Sequence, residues 1–250
     1  MQMDDLFLRE ISLKTHDPNV LGYAAKIPAV QRLSRLPLQS QATFFIGENG
    51  SGKSTLLEAV AVAAGFNPEG GSINFSFSTA DTHAPLWQAI KLVRGIRRPR
   101  TGFFLRAESF YNVASYIDEL DKIPGKAPLI KSSYGGKSLH SQSHGESFMA
   151  LCLNRFSAGG LYILDEPEAA LSPQNQLALL CRIHSLAQMG SQFLIATHSP
   201  LLMALPDADI YTVNENGLEL TPYEQTGHYQ LTRSFLENPK RMLSYLLEGD

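Results

Sequence analysis

The sequence predicts an α/β domain whose central sheet is mainly parallel. Short apolar runs that read as buried strands recur along it: ATFFI (42–46), GFFLRA (102–107), LYILDE (161–166) and QFLIATH (192–198). Segments with helical spacing lie between them, chiefly 54–64, 108–123 and 172–190. Strands that alternate with helices in this way stack as a parallel sheet covered by its own crossovers.

In chain order, LFLREISL (6–13) alternates apolar and polar residues and reads as a strand with one wet face. Pro18, Gly22 and Pro28 make 15–28 a loop, and a second extended stretch is expected through 29–38. After the strand at 42–46, STLLEAVAVAA (54–64) reads as a helix. The Gly-, Ser-, Asn- and Thr-rich 65–83 reads as loops with a short strand, INFSFS, and APLWQAIKLV (84–93) as a short helix. Residues 124–143 read as an exposed loop and SFMALCLNRF (147–156) as a helix. Ser172 as N-cap, Pro173 in the first turn and Gly190 as stop punctuate the helix 172–190. IYTVNENGLEL (210–220) reads as a hairpin with Asn216-Gly217 in its turn, and helix is expected from there to the end. A length of 250 residues admits one large domain or two small ones. The motif order below favours a single domain, 1–250, with an inserted helical lobe at about 84–157.

An apolar fraction of 44% is ordinary for a globular protein, and a net charge of −3 argues against a general DNA-coating role. Cys152 and Cys181 lack CxxC spacing, fall in apolar helical patterns and read as buried free thiols. No apolar run approaches the ~20 residues that span a bilayer. MQMDDLFLRE lacks a signal-peptide core, so a cytoplasmic location is expected.

Residues 47–55 read GENGSGKST and fit G-x-x-x-x-G-K-[ST], the phosphate-binding loop of nucleoside triphosphatases. Gly47, Glu48, Asn49, Gly50, Ser51, Gly52 and Thr55 would cradle an anion with backbone N–H groups. Lys53 would reach the β- and γ-phosphates, and the Ser54 hydroxyl would ligate Mg²⁺. LYILDEPE (161–168) is the natural partner. Asp165 emerges at the carboxyl end of its strand, where α/β sheets place ligand sites, and is suited to hold Mg²⁺. Glu166 follows and can face a water attacking the γ-phosphate. Two adjacent acids alone would fit a solvated strand end; beside a phosphate loop they read as catalytic. His198 ends the strand QFLIAT beside the one carrying Asp165, within reach of the same phosphate.

Four motifs in order, GENGSGKST, QSHGES (142–147), LYILDEPE and ATHSP (196–200), resemble those of the ABC-class ATPases, the engines of ABC transporters and of SMC- and RecF-like proteins. The resemblance implies the P-loop ABC-ATPase fold, with an antiparallel β part and a helical lobe, and ATP with Mg²⁺ as ligands. QSHGES stands where the family has L-S-G-G-Q/E: Ser143, Gly145 and Glu146 match, His144 replaces a glycine and Gln142 the leucine. By resemblance, Ser143 and Gly145 would contact the γ-phosphate bound to a second subunit, in a head-to-tail homodimer closed by ATP. AALSP (169–173) occupies the place of the D-loop. Arg106 or Glu108 stands where the family places a glutamine, and Tyr23 is either the adenine-stacking aromatic or a surface tyrosine in a loop.

DEPEAALSP and THSP are closer to RecF- and OLD-like ATPases than to the DEPTSALD of transporter subunits. This favours a switch acting on an unidentified partner protein or on nucleic acid; the alternative is the ATP-binding subunit of a membrane transporter, with a permease as partner. The basic run KLVRGIRRPRTGFFLR (91–106) contains no acid and reads as a solvated or protein-docking face, with contact to phosphate backbones as the other possibility.

Overall fold

The computed structural model describes residues 5–72, 86–106 and 143–248. Among them the strands are, in chain order, β1 (Leu8–Leu13), β2 (Arg35–Pro37), β3 (Ala42–Gly47), β4 (Gly71–Ser72), β5 (Ile90–Arg94), β6 (Thr101–Arg106), β7 (Gly160–Asp165), β8 (Gln192–Ala196), β9 (Asp209–Asn214) and β10 (Gly217–Leu220). The longer helices are α1 (Lys53–Ala64), α2 (His144–Arg155), α3 (Pro173–Gln188), α4 (Gly227–Glu237) and α5 (Pro239–Glu248).

Seven strands form one sheet in the order β10–β9–β3–β8–β7–β6–β4, and β2–β1–β5 form a second, antiparallel sheet. In the large sheet β9, β3, β8, β7 and β6 are mutually parallel, whereas β10 and β4 run antiparallel at its edges. The expected mainly parallel α/β fold with an antiparallel part is therefore present. The parallel strands are apolar throughout because both faces are covered. Along β7, Leu161 and Ile163 point into a core shared with α1 and the small sheet, while Tyr162 and Leu164 point into a core shared with α2 and α3.

Two buried polar side chains tie these layers together. Gln192, fully buried, accepts from the Phe7 and Leu8 amides at 3.0 and 2.9 Å and donates to the Leu8 carbonyl at 2.8 Å, so the start of β8 carries the small sheet. Tyr162 stacks between Phe156 and Phe193 at 4.4 and 5.0 Å. Its hydroxyl donates to Ser157 O at 2.8 Å and accepts from Ser157 N at 2.6 Å, which satisfies the polar tip of a buried aromatic.

Several expectations are corrected. Residues 29–38 are not extended throughout: Pro28 occupies the first position of a short helix, Pro28–Gln31, and the strand begins only at Arg35. Within 15–28, Pro18–Leu21 and Gly22–Lys26 are also short helical turns. Of the described part of 84–93, Leu86–Ala89 is helical, whereas Ile90–Arg94 pairs with β1, with Ile90 and Leu92 turned inward and Lys91 and Val93 outward. Within 86–106, Ile90–Arg94 joins the small sheet and Thr101–Arg106 the large one. INFSFS, the helix expected at 108–123, and Glu108 lie outside the described residues. In the hairpin, Gly217 pairs with Asn214, so Glu215 and Asn216 form the turn.

Cys152 is buried as expected, but Cys181 is exposed. On α3 the core side is Leu179, Ile183 and Leu186, and position 181 falls on the opposite face. The basic run is partly consumed internally: Arg94 reaches the Ala63 carbonyl, Arg97 pairs with Asp5 at 2.9 Å, and Arg106 pairs with Glu58 at 2.8 Å.

Candidate functional site

The carboxyl ends of the parallel strands converge on one edge of the large sheet. Register places Arg106 of β6 beside Asp165 of β7, and Asp165 beside Ala196 of β8. Five elements deliver side chains there: the loop after β3, the end of β6, the end of β7, the segment after β8, and the start of α4.

The loop 47–52 turns directly into α1. Gly52, at φ +97°, is the residue before the helix, and a Cβ there would overlap Ile27 Cγ2. Gly50, at φ +80°, has open space around its Cα, so only backbone conformation restricts it. Lys53 is buried, and its ammonium donates to the Gly47 and Glu48 carbonyls, both at 2.9 Å. Burial lowers its proton affinity, against Glu166, Asp165 and Glu168, whose charges raise it. The α1 amino terminus opens beside this loop, presenting its positive end to any anion held there.

Ser54 Oγ donates to Asp165 Oδ1 at 2.9 Å, across 111 residues of sequence. Two neighbouring ligands of an octahedral Mg²⁺, each at ~2.1 Å, stand about 3 Å apart. This oxygen pair therefore has the spacing of one edge of such a site. No cluster of three His, Cys, Asp or Glu side chains able to hold a metal occurs among the described residues. Mg²⁺ takes few protein ligands and fills its sphere with water and substrate phosphates. Arg106 Nε lies 3.7 Å from the other Asp165 oxygen, so the residue at the end of β6 is a cation next to this pair.

Glu166 adopts φ +49°, uncommon for a residue with a Cβ, and its amide donates to Ala196 O at 3.0 Å. Its partly exposed carboxylate lies 3.6 Å from His198 Nε2, which makes no hydrogen bond. Glu168, which sequence reasoning left without a role, accepts from the His198 amide at 2.6 Å and fixes the end of β8. A second residue was missed: His228, whose Nε2 is 3.3 Å from His198 Nδ1. Its sequence signal is weak, because nothing in GHYQ ties the start of that helix to this edge of the sheet.

Ser143 is the N-cap of α2, which starts at His144 rather than at 147. Its hydroxyl and the Glu146 carboxylate form a reciprocal capping box: the Glu146 amide donates to Ser143 Oγ at 3.4 Å, and the Ser143 amide donates to Glu146 Oε2 at 3.0 Å. Gly145 lies in the first turn, where a Cβ would come within 2.9 Å of Ala170 O. Ser143 is exposed. Tyr23 is exposed on the Gly22–Lys26 turn. The cavity beside the loop is instead lined by Pro28, Ile46, Gly47–Ser51, Thr212–Glu215, Gly227, His228 and Leu231, Tyr23 not among them.

Comparison with known families bears on this arrangement. A model described as "AAA domain, putative AbiEii toxin, Type IV TA system" matches residues 138–204, and one described as "AAA domain" matches residues 29–129. Together they take in the loop with Lys53 and the strands ending at Asp165 and Ala196. The chain is a P-loop ATPase similar to AAA-type domains in both of its halves. Among curated proteins, none matches this ATPase. Among solved structures it is similar to cbiO1 from Clostridium perfringens, part of the ABC transporter complex cbiONQ, at 15% identity over 97% of this chain and 99% of that one, with a TM-score of 0.51. The SMC head domain from Thermotoga maritima matches at 14% identity, 87% and 99% coverage and a TM-score of 0.45. The first of these likenesses concerns the fold of the ATPase alone. No helix among the described residues is long and apolar enough to cross a membrane.

Proposed function

We propose that the ATPase binds ATP at residues 47–55 and closes as a head-to-tail homodimer around two nucleotides, switching a partner protein or nucleic acid in the cytoplasm. The observation that carries this reading is the Ser54–Asp165 contact at 2.9 Å, which joins the phosphate loop to the acidic strand end.

In this reading the backbone amides of Gly47 to Thr55 hold the phosphates, and Lys53 exchanges its two carbonyl partners for the β- and γ-oxygens. Ser54 and Asp165 would hold Mg²⁺, which would supply positive charge against the phosphate oxygens. Glu166 takes the proton of the attacking water, and His198 Nε2 donates to the γ-phosphate. General-base assistance is worth ~10²–10⁴-fold in rate. Ser143, Gly145 and Glu146 serve the other subunit: Ser143 and Glu146 are exposed at the start of α2, whose positive end suits the terminal phosphate of a facing nucleotide. The description of one matched model names a toxin of a Type IV TA system. A switch that acts on a partner is in keeping with that description.

The test is the mass of the Glu166→Gln protein in solution with ATP and Mg²⁺, by light scattering. It is expected to double with ATP and not with ADP, and Ser143→Arg in the same background should leave a monomer that still binds ATP. Dimers that form with Ser143→Arg would remove the signature role. A polytopic permease bound to the Glu166→Gln protein from native membranes would instead make the ATPase a transporter subunit.

A further inference from the structure

His228 is a titratable residue at this edge of the sheet that the proposed chemistry leaves unused. It stands in the first turn of α4, which Thr226 caps by accepting from the Tyr229 amide at 3.3 Å. The amides of Gly227 and His228 therefore lie ahead of the helical ladder, and both residues line the same cavity, of about 720 Å³, as Gly47–Ser51. Burial lowers the proton affinity of His228 most, followed by His198 and Lys53, so the ammonium is within Coulomb reach of this ring.

The two histidines face one another through defined atoms, His228 Nε2 and His198 Nδ1, 3.3 Å apart with rings tilted by 56°. Between two neutral imidazoles one nitrogen must donate and the other accept. If His228 Nε2 carries the proton, His198 Nδ1 is the acceptor, and the remaining proton of His198 sits on Nε2. That atom is buried, makes no hydrogen bond, and faces Glu166 Oε1 at 3.6 Å. A free N–H at this place is a donor for a phosphate oxygen; the other tautomer would present a lone pair to an anion and repel it. The partner that fixes one ring nitrogen thereby decides what the other can do.

We propose that His228 is a positioning residue of the ATP site: it donates Nε2–H to His198 Nδ1 and so holds the His198 proton on Nε2, aimed at the terminal phosphate. The inference rests on the nucleotide reading above. It makes the start of α4 part of the discrimination between ATP and ADP, since only ATP offers the oxygen that His198 Nε2–H would meet. Through the same contact, α4 and the α5 that follows are tied to the presence of the γ-phosphate.

The experiment combines ¹⁵N-resolved imidazole spectra with calorimetric binding of ADP and of a non-hydrolysable ATP analogue, using the whole chain. In the unmodified protein His198 should be a single Nε2–H tautomer. His228→Phe keeps a ring of similar size without a donor; His198 should then become a mixture, and the analogue should weaken about tenfold while ADP is unchanged. His228→Gln, which retains an N–H donor, should recover most of the difference. An unchanged tautomer, equal loss of both nucleotides, or tighter binding of the analogue to His228→Phe would each overturn the proposal. Failure of the unmodified protein to bind either nucleotide would instead refute the nucleotide reading, and the spectra would still decide whether His228 sets the His198 tautomer.

Discussion

Replacement of Gly52 by alanine separates two costs that the phosphate loop imposes. The first is conformational: at φ +97° an L-residue costs about 1–2 kcal/mol. The second is steric, because the new Cβ would overlap Ile27 Cγ2 and touch Ala29 Cβ at 3.4 Å; forcing a methyl into such a contact costs about 1–3 kcal/mol. Their sum, about 2–5 kcal/mol, falls on the loop conformation that binds the anion, and at 1.4 kcal/mol per decade it weakens nucleotide binding about thirtyfold to a few thousandfold. Gly50→Ala, with φ +80° and nothing within 4 Å, bears only the first cost, about five- to thirtyfold. Ile27→Ala removes the overlapping methyl, so Gly52→Ala in that background should lose no more than Gly50→Ala does. Calorimetric titration with ADP across the four variants, each checked for native unfolding temperature, measures this. Equal losses for Gly50→Ala and Gly52→Ala, or no relief from Ile27→Ala, would refute the argument that packing against Ile27 shapes the loop.

Glu166→Gln should bind ATP as the unmodified protein does and hydrolyse it at least ~10²-fold more slowly in a steady-state phosphate-release assay; near-normal turnover would remove Glu166 as the base. Gln192→Leu leaves three buried backbone groups of Phe7 and Leu8 without partners, at ~1–3 kcal/mol each. Urea unfolding should therefore show a loss of roughly 3 kcal/mol or more, and a loss under ~1 kcal/mol would mean that this joint is not structural. The His228 proton affinity is depressed in the fold, so below its ordinary value of 6.5 the unfolded chain binds the extra proton more readily. Stability should fall as the pH drops through that region. Melting curves from pH 7.5 to 5 should show a shallower fall for His228→Gln than for the unmodified protein.

The parts of this site that are legible in the sequence are those in which local chemistry and position coincide. GENGSGKST has its strand before it and its helix after it, so nothing distant is needed to place Lys53 and Ser54. Asp165 and His198 follow apolar runs whose burial on both faces dictates parallel neighbours, and register then brings their strand ends together. Glu168 and His228 are different. Their roles depend on contacts across 30 residues to His198, made by a turn and by a helix start whose own sequences carry no trace of the partner. β5 was hidden for another reason: IKLVR has both helical and strand character, and only the free edge of β1 decides between them. Cys181 shows the limit of reading apolar character alone, because a helix face is set by phase and not by residue type.

The unequal surroundings of the two thiols give this protein a built-in attachment point. Burial pushes the Cys152 thiol up, away from the reactive thiolate, whereas Cys181 is open to solvent on the outer face of α3. A maleimide dye or nitroxide should thus modify one position per chain with no engineered cysteine. In the proposed head-to-tail dimer that would give a single pair of identical labels, whose separation, read by energy transfer or pulsed electron resonance, would follow its opening and closing during a nucleotide cycle.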